Sequence, residues 1–502
     1  MTTPHPGIEK IFVLAMENRS FDHVFGNSGL IYTDIPPSIR NLLPDPLSNI
    51  EDRIGFDPPH EYVNAFMQRE SWSPDLAAYD PDLWINAIKV GYEAGNPSRN
   101  PYDSALRPLD RRQTGVITAL AQQYGLCTSW RASVPSSTWP NRFFFHAATC
   151  GGCYDGPTTW QMLAQNFDFP LGTVFDSLTK GGRKWKVFYG GGLPPQVFSL
   201  KGMRDRWWSD FSHIGHFADE LRGGQYDADY TFIEPNYDAL FKYKDGNSQH
   251  PCASFAAGEA LVRYVYESIR SSPYWGKSLL IITYDEHGGF YDHVGVRSDF
   301  VPPEDPSQRP YQKDSDTYNH DLAAKLPAGS LNGDASTFDY TVSGFRVPAV
   351  IVSPLIKPGT IIHDELEHSC IPATVLRQFG LTTLTARDKA AVPLTEYLEP
   401  GAVQSIDPID PLIFPEYAAR SNADYDPPPD TTSLNSAPDA QVRKMALLRL
   451  QVANSAMSAD QLGDMANQIS TATTMGQIQG VLSDLPPLYQ LPNGDNSPQH
   501  MP

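Results

Sequence analysis

Two runs far apart in the chain are apolar at nearly every position. Lys10–Met16 reads KIFVLAM and Ser278–Tyr284 reads SLLIITY. Runs of this length, apolar on both faces, predict strands inside a parallel sheet that helices cover. Trp185–Tyr189, Tyr230–Ile233 and Val347–Val352 predict further strands. Between them the apolar spacing turns helical. Ser254–Ser271, with Ser254 placed as an N-cap, Thr114–Tyr124 and Ile371–Phe379 predict helices. Strands alternating with helices predict an α/β fold, a mainly parallel central sheet with helices on both faces.

Polar stretches mark what lies outside that core. Asn27–Pro108, rich in proline, aspartate and aromatic residues, and Val294–Phe338, rich in Pro, Asp and Ser, predict excursions from the sheet. Ser405–Pro438, which contains Asp426-Pro427-Pro428-Pro429-Asp430, predicts a linker or surface strap. Beyond it Asp439–Met457 and Asp460–Leu482 predict two helices in a hairpin, followed by a loose tail from Pro486. The expected organisation is a main body over 1–407, a linker over 408–438 and a small helical appendage over 439–502.

Composition narrows the classes of function. The chain has 502 residues, 40% hydrophobic and 11% aromatic, which supports a substantial core. A net charge of −20 argues against a nucleic-acid binder. It also argues against charge-driven docking on anionic membranes and leaves at most transient contact with a membrane surface. No run approaches the ~18 apolar residues of a membrane span. The amino terminus, MTTPHPGIEKIFVLAM, has no basic segment ahead of its apolar run. The expectation is a soluble protein, cytoplasmic or exported by a leaderless route. Cys150-Gly-Gly-Cys153 has no second pair to complete a thiolate metal site, so the five cysteines read as small buried thiols with at most one local bridge.

Candidate chemistry gathers just after the two long strands. In parallel sheets ligands bind beyond the carboxyl ends of the strands. There the first strand offers Glu17-Asn18-Arg19-Ser20, and the second Asp285-Glu286-His287-Gly288-Gly289. Adjacent carboxylates at a strand end repel unless a cation or a cluster of donors holds them. Four oxygen ligands without sulfur favour Ca²⁺, Mg²⁺ or Mn²⁺, with Zn²⁺ a possible occupant. Each segment alone is also accounted for by an N-cap (Asn18 or Ser20) or a solvated Asp-Glu turn. A third segment, Ser136-Ser137-Thr138-Trp139-Pro140-Asn141-Arg142, sets a hydroxyl near a helix start, where phosphate binds well. A cation there would make Thr138 a nucleophile, with Arg142 close enough in sequence to hold a phosphoryl oxygen. Taken alone, this segment is accounted for by an ordinary threonine cap. His60 after Asp57-Pro58-Pro59, His213, His216 and His250 complete the candidates.

Together these segments carry a resemblance. Glu17–Gly26 (ENRSFDHVFG), Ser137–Arg142 (STWPNR), Asp285–His293 (DEHGGFYDH) and Leu366–Ser369 resemble, in the same order, the bacterial and plant phosphoesterase family that contains non-specific phospholipases C and a respiratory-burst-inhibiting acid phosphatase. The resemblance spans about Ile8–Leu381 and implies the alkaline-phosphatase-like α/β architecture, with a metal at the strand ends. It implies Glu17, Asn18, Asp285 and Glu286 as metal ligands, with the Thr138 oxygen beside them. It implies Thr138 as nucleophile, passing through a phosphothreonine, and His60, His250 and, on looser spacing, His213 as contacts to the phosphoryl group. Ser369-Cys370-Ile371-Pro372 departs from the family pattern after His368. The implied activity is that of a phospholipase C acting on a phosphodiester, with a broad acid phosphomonoesterase as the alternative. A reading from another class is a non-catalytic binding or toxin-accessory protein on the same scaffold.

Overall fold

A computed structural model describes residues 4–30, 53, 57–70, 103–153, 167–191, 194–238, 243, 246–304, 340–401, 459–474, 477 and 481. The expected strap Ser405–Pro438, the helix Asp439–Met457 and the tail from Pro486 lie outside these residues. The chain divides into two compact units. The first comprises Met1–Thr158, Asp168–Gln196 and Asp210–Tyr425, and the second Thr159–Phe167, Val197–Ser209 and Asp426–Pro502.

Among the described residues the first unit is built on ten strands: β1 (Lys10–Met16), β2 (Gly125–Cys127), β3 (Trp130–Arg131), β4 (Trp185–Tyr189), β5 (Phe211–His213), β6 (Tyr230–Glu234), β7 (Ser278–Tyr284), β8 (Ala349–Val352), β9 (Thr360–Ile362) and β10 (Leu366–Glu367). Eight form one sheet in the order β5-β4-β6-β1-β7-β8-β2-β9, and β3 pairs with β10 apart from it. The sheet is parallel except at β8, which runs against both β7 and β2. The fold is therefore the mainly parallel α/β sheet expected from the sequence. The two long apolar runs are its central strands, buried along their whole length. The expected strand over Val347–Val352 starts only at Ala349, after Pro348, which has no N–H for the ladder.

Cross-strand register divides the helices between two faces. Phe12 lies opposite Thr231 and Phe188 opposite Ile233, all on one face. There the rings of Phe12 and Phe188 meet Phe217 of the short helix Phe217–Arg222, at 6.1 and 4.8 Å between centroids. Trp185, Tyr230 and Phe232 point the other way. Phe175 of the helix Val174–Lys180 sits 4.8 Å from Trp185 and 5.8 Å from Tyr230. Phe232 meets Phe145 and His146 of the helix Thr138–Ala147, hereafter α1. The helix Phe255–Arg270 packs with Phe217–Arg222 and Gly115–Gln123, and Cys370–Gln378 packs with α1 and Val174–Lys180. Ser254 caps Phe255–Arg270 as expected, accepting from Ala257 N–H at 3.0 Å. In the second unit Ala459–Thr471 is a helix. No helix among the described residues is long and apolar enough to cross a membrane.

This register brings the two chemical segments together. Met16 is matched with Tyr284, so Glu17 and Asp285 leave adjacent strands side by side, about 4.8 Å apart. Asn18 turns at φ 55°, in the left-handed region, and its N–H donates to Asp285 Oδ1 at 2.9 Å. Gly288 at φ 61° and Gly289 at φ 75° let the β7 loop lie directly against these turns. A Cβ on Gly288 would lie 2.5 Å from the Asn18 carbonyl oxygen, and one on Gly289 would lie 2.7 Å from Pro58 Cβ. Gly288→Ala therefore adds left-handed strain to a backbone clash, and the expected loss of stability is roughly 2–4 kcal/mol. Denaturant unfolding checks this, and an unchanged midpoint would show that the two turns do not need the close approach.

Candidate active site

The two strand tips gather buried oxygen atoms that no protein donor satisfies. Glu17, Asn18 and Glu286 are all buried. Glu17 Oε2, Asn18 Oδ1 and Glu286 Oε2 have no hydrogen-bond partner among the described residues. A buried polar atom without a partner is uncommon and costly. Three on the residues expected to ligate a metal fit a cation with oxygen ligands. Burial pushes the Glu17 carboxyl up to about 7, although Arg142 and His250 draw it down. Burial, and next to it Asp285, hold Glu286 well above the usual carboxylate range. A cation is the charge that would let both ionise.

Asp285 is held differently. Its Oδ1 accepts from Asn18 N–H and Glu286 N–H, and its Oδ2 from Arg142 Nε at 2.6 Å. Arg142 is spent entirely on protein groups. Beyond Asp285 it donates to Gln196 Oε1 at 2.5 Å, Tyr237 Oη at 2.7 Å, and the Met16 and Ala15 carbonyls at 3.0 and 3.5 Å. These use all five of its N–H donors. The expectation that Arg142 grips a phosphoryl oxygen gives way to another role, that of a clamp joining α1 to both strand tips.

α1 starts where Thr138 meets that cluster. Thr138 is its first residue, and its hydroxyl donates to Glu286 Oε1 at 2.9 Å. The capping position falls one residue earlier, on Ser137. Asn141 reaches back along the preceding loop. Its Nδ2 donates to the Ser136 and Ser137 carbonyls, and its Oδ1 accepts from Val134 N–H. The hydroxyl at position 138 therefore stands on a clamped turn at a positive helix end.

Of the histidines, His60 and His250 reach this region. His60 Nδ1 lies 2.6 Å from the Pro58 carbonyl, so it carries the proton, and Nε2 accepts from Asn18 Nδ2 at 3.0 Å. The same nitrogen is 3.5 Å from Glu286 Oε1. His250 stacks on Tyr243 at 3.6 Å and sets Nε2 3.3 Å from Asp57 Oδ2. Burial draws the His250 pKa down, but the Asp57 carboxylate outweighs it and the net shift is upward. His213 is not brought in. It ends the edge strand β5, three strand spacings or about 14 Å from β1, and accepts locally from Gly215 N–H.

His287 and His368 serve the frame. Burial keeps the His287 pKa well below its usual value, and Nε2 bonds Gln68 Oε1 at 2.7 Å. Gln68 lies in the helix Tyr62–Glu70, so part of the Asn27–Pro108 excursion folds back over the β7 loop. His368, pushed down to about 4 by burial, accepts from Trp130 Nε1 and donates from Nε2 to the Asp285 carbonyl at 2.6 Å. Asp57 was not foreseen as a site residue. Its signal was local, three residues before His60, but its partner His250 lies far along the chain.

A second acidic group stands nearby and is a poorer cation site. Asp22, Asp292 and His293 come within 4.8 Å of one another. Their carboxylate oxygens are all engaged, by Arg346, by His293 and by the backbone N–H groups of Asp22, His293 and Val294. Arg346 and His293 already supply positive charge there, so this trio forms an ion-pair latch.

Comparison with known proteins identifies the family. The model of the phosphoesterase family matches residues 8–382. The chain belongs to the phosphoesterase family. It is similar to non-specific phospholipase C4 of Arabidopsis thaliana, 31% identical over 76% of this chain and 70% of that one. Non-specific phospholipase C1 of the same plant is 32% identical, covering 78% and 70%. Phospholipase C B of Mycobacterium tuberculosis is 26% identical, covering 78% of each chain. A solved structure from Vibrio parahaemolyticus, described as a protein in the alkaline phosphatase superfamily, covers 77% of this chain and 69% of that one, with TM-score 0.34 and 11% identity. This phosphoesterase is a hydrolase of phosphoric esters, and the non-catalytic reading is set aside.

The Glu17 carboxyl gives a pH-dependent test of the cation. Its pKa rises from about 4.5 in an unfolded chain to about 7 in the folded, metal-free one. The folded state then binds the extra proton, and its stability falls as pH rises from about 4.5 to 7. A cation that replaces the proton relieves this cost. Mn²⁺ or Ca²⁺ is therefore expected to raise the unfolding temperature more at pH about 7.5 than at about 5.5. Equal shifts at the two pH values, or none, would count against these ligands.

Proposed function

We propose that this phosphoesterase is of phospholipase C type and works through a phosphothreonine at Thr138, with one divalent cation held by Glu17, Asn18, Asp285 and Glu286. One observation carries the reading. The Thr138 hydroxyl, at the open end of α1, is bonded to Glu286, whose second oxygen is orphaned together with those of Glu17 and Asn18. Bound there, the cation would neutralise charge on the phosphoryl oxygens and ease ionisation of the hydroxyl.

The chain's own groups supply the proton traffic. As Thr138 Oγ1 attacks phosphorus, its proton passes to Glu286 Oε1, to which it already donates. The bond from phosphorus to the leaving oxygen breaks, and that oxygen takes the proton that His250 carries on Nε2 towards Asp57. His60, whose own proton is held by Pro58, keeps Asn18 in position. Water then attacks phosphorus of the phosphothreonine and gives a proton to His250, the bond from phosphorus to Thr138 Oγ1 breaks, Oγ1 takes back the proton held on Glu286, and phosphate or a phosphorylated headgroup is released.

The relatives named phospholipase C favour a phosphodiester, cleaved on the glycerol side of phosphorus. The acid phosphomonoesterase alternative is tested by turnover of phosphatidylcholine beside a chromogenic phosphomonoester, where preference for the monoester would reverse the assignment.

The nucleophile has its own test. Thr138→Ser keeps the hydroxyl and is expected to retain part of the activity, whereas Thr138→Ala is expected to lose at least about a thousandfold. Acid quench during turnover should trap labelled phosphate on the protein. An Ala variant slowed only about tenfold to a hundredfold, with no trapped label, would point to direct attack by water.

A further inference from the structure

We propose that the Ser137 hydroxyl is a further donor to the phosphoryl group, binding a non-bridging oxygen beside the attacking Thr138. This rests on the reading of Thr138 as the attacking group. Ser137 is the N-cap of the ten-residue α1, with φ −78° and ψ −172°. That backbone sets a serine hydroxyl over the open end of a helix, where it ordinarily accepts from the second or third helical N–H. Here the third helical residue is Pro140, which has no N–H. No side-chain capping bond forms.

Ser137 is nonetheless only 5% exposed, and its hydroxyl has no hydrogen-bond partner among the described residues. Ser136 is 1% exposed, and its hydroxyl has none among them either. The Asn141 amide already secures the Ser136 and Ser137 carbonyls, so the turn does not need the hydroxyls for its shape. What remains at the helix end is a buried, unpaired donor directly before the hydroxyl that faces Glu286. A phosphoryl oxygen is the acceptor that suits it, because it brings negative charge and lone pairs to a positive helix end. Thr138 and Ser137 would then divide the work, one attacking and one holding.

Ser137→Ala tests the assignment. Inorganic phosphate serves as the probe, read by its protection against thermal unfolding, and kcat/KM is measured on a chromogenic phosphoric ester. The expected result is a loss of roughly 10- to 100-fold in kcat/KM, weakened phosphate protection and an unchanged unfolding temperature without phosphate, since no cap bond is removed. Ser137→Thr should recover most of the loss. Kinetics and phosphate protection within about twofold of the parent would overturn the proposal, as would a lowered unfolding temperature with intact kinetics, the mark of a plain cap. A parent protein inactive on every ester would defeat the underlying reading instead. Phosphate protection would then still decide: its loss in the Ala variant supports Ser137, and its retention overturns it.

Discussion

The buried ion pair between Arg142 and Asp285 is the contact on which the site depends. One guanidinium on the first turns of α1 holds the Asp285 carboxylate just after β7 at 2.6 Å and binds the last carbonyls of β1. Three segments distant in sequence are thereby fixed relative to one another. Gln196 and Tyr237 complete its donor set, so the geometry is specified from five directions. Removing one partner of such a pair ordinarily costs about 3–5 kcal/mol, because the other charge is left buried and unpaired. The same contact sets the distance between the Thr138 turn and the Glu286 oxygen.

Around that pair the electrostatics are deliberately incomplete. Asp285 is satisfied, but Glu17 and Glu286 are held above the usual carboxylate range by burial, and three oxygens lack donors. The latch of Asp22, Asp292, His293 and Arg346 shows the contrast within one molecule. There a comparable acidic group is closed by a cation of the protein itself, and it fastens the loop after β7 to the segment after β1. Of these residues only Asn18, at the open cluster, takes a left-handed turn, whereas Asp22, Asp292, His293 and Arg346 of the latch do not.

How much of this was legible in the sequence depended on whether the signal was local. β1 and β7 were readable because a run apolar on both faces has few alternatives, and the Ser254 cap because its partner is three residues away. The direction of β8 was not readable, since an apolar run carries no mark of antiparallel pairing. The three-residue strands β2, β5 and β9 are too short to show a period. The clamp at Arg142 was hidden because its side-chain partners lie 143, 54 and 95 residues away. The shift of the cap from Thr138 to Ser137 did have a local sign, the missing N–H of Pro140. The convergence of Glu17, Asn18, Asp285 and Glu286 followed from strand-end chemistry plus the family resemblance. Their partnerless oxygens required the fold.

The most direct test is a crystal structure of the protein soaked with Mn²⁺, with the ion located by its anomalous scattering. The account predicts one peak about 2.0–2.6 Å from oxygens of Glu17, Asn18, Asp285 and Glu286, with Asp285 still paired to Arg142 and the Thr138 oxygen beside the ion. A peak at Asp22, Asp292 and His293, with none at the two strand tips, would contradict it.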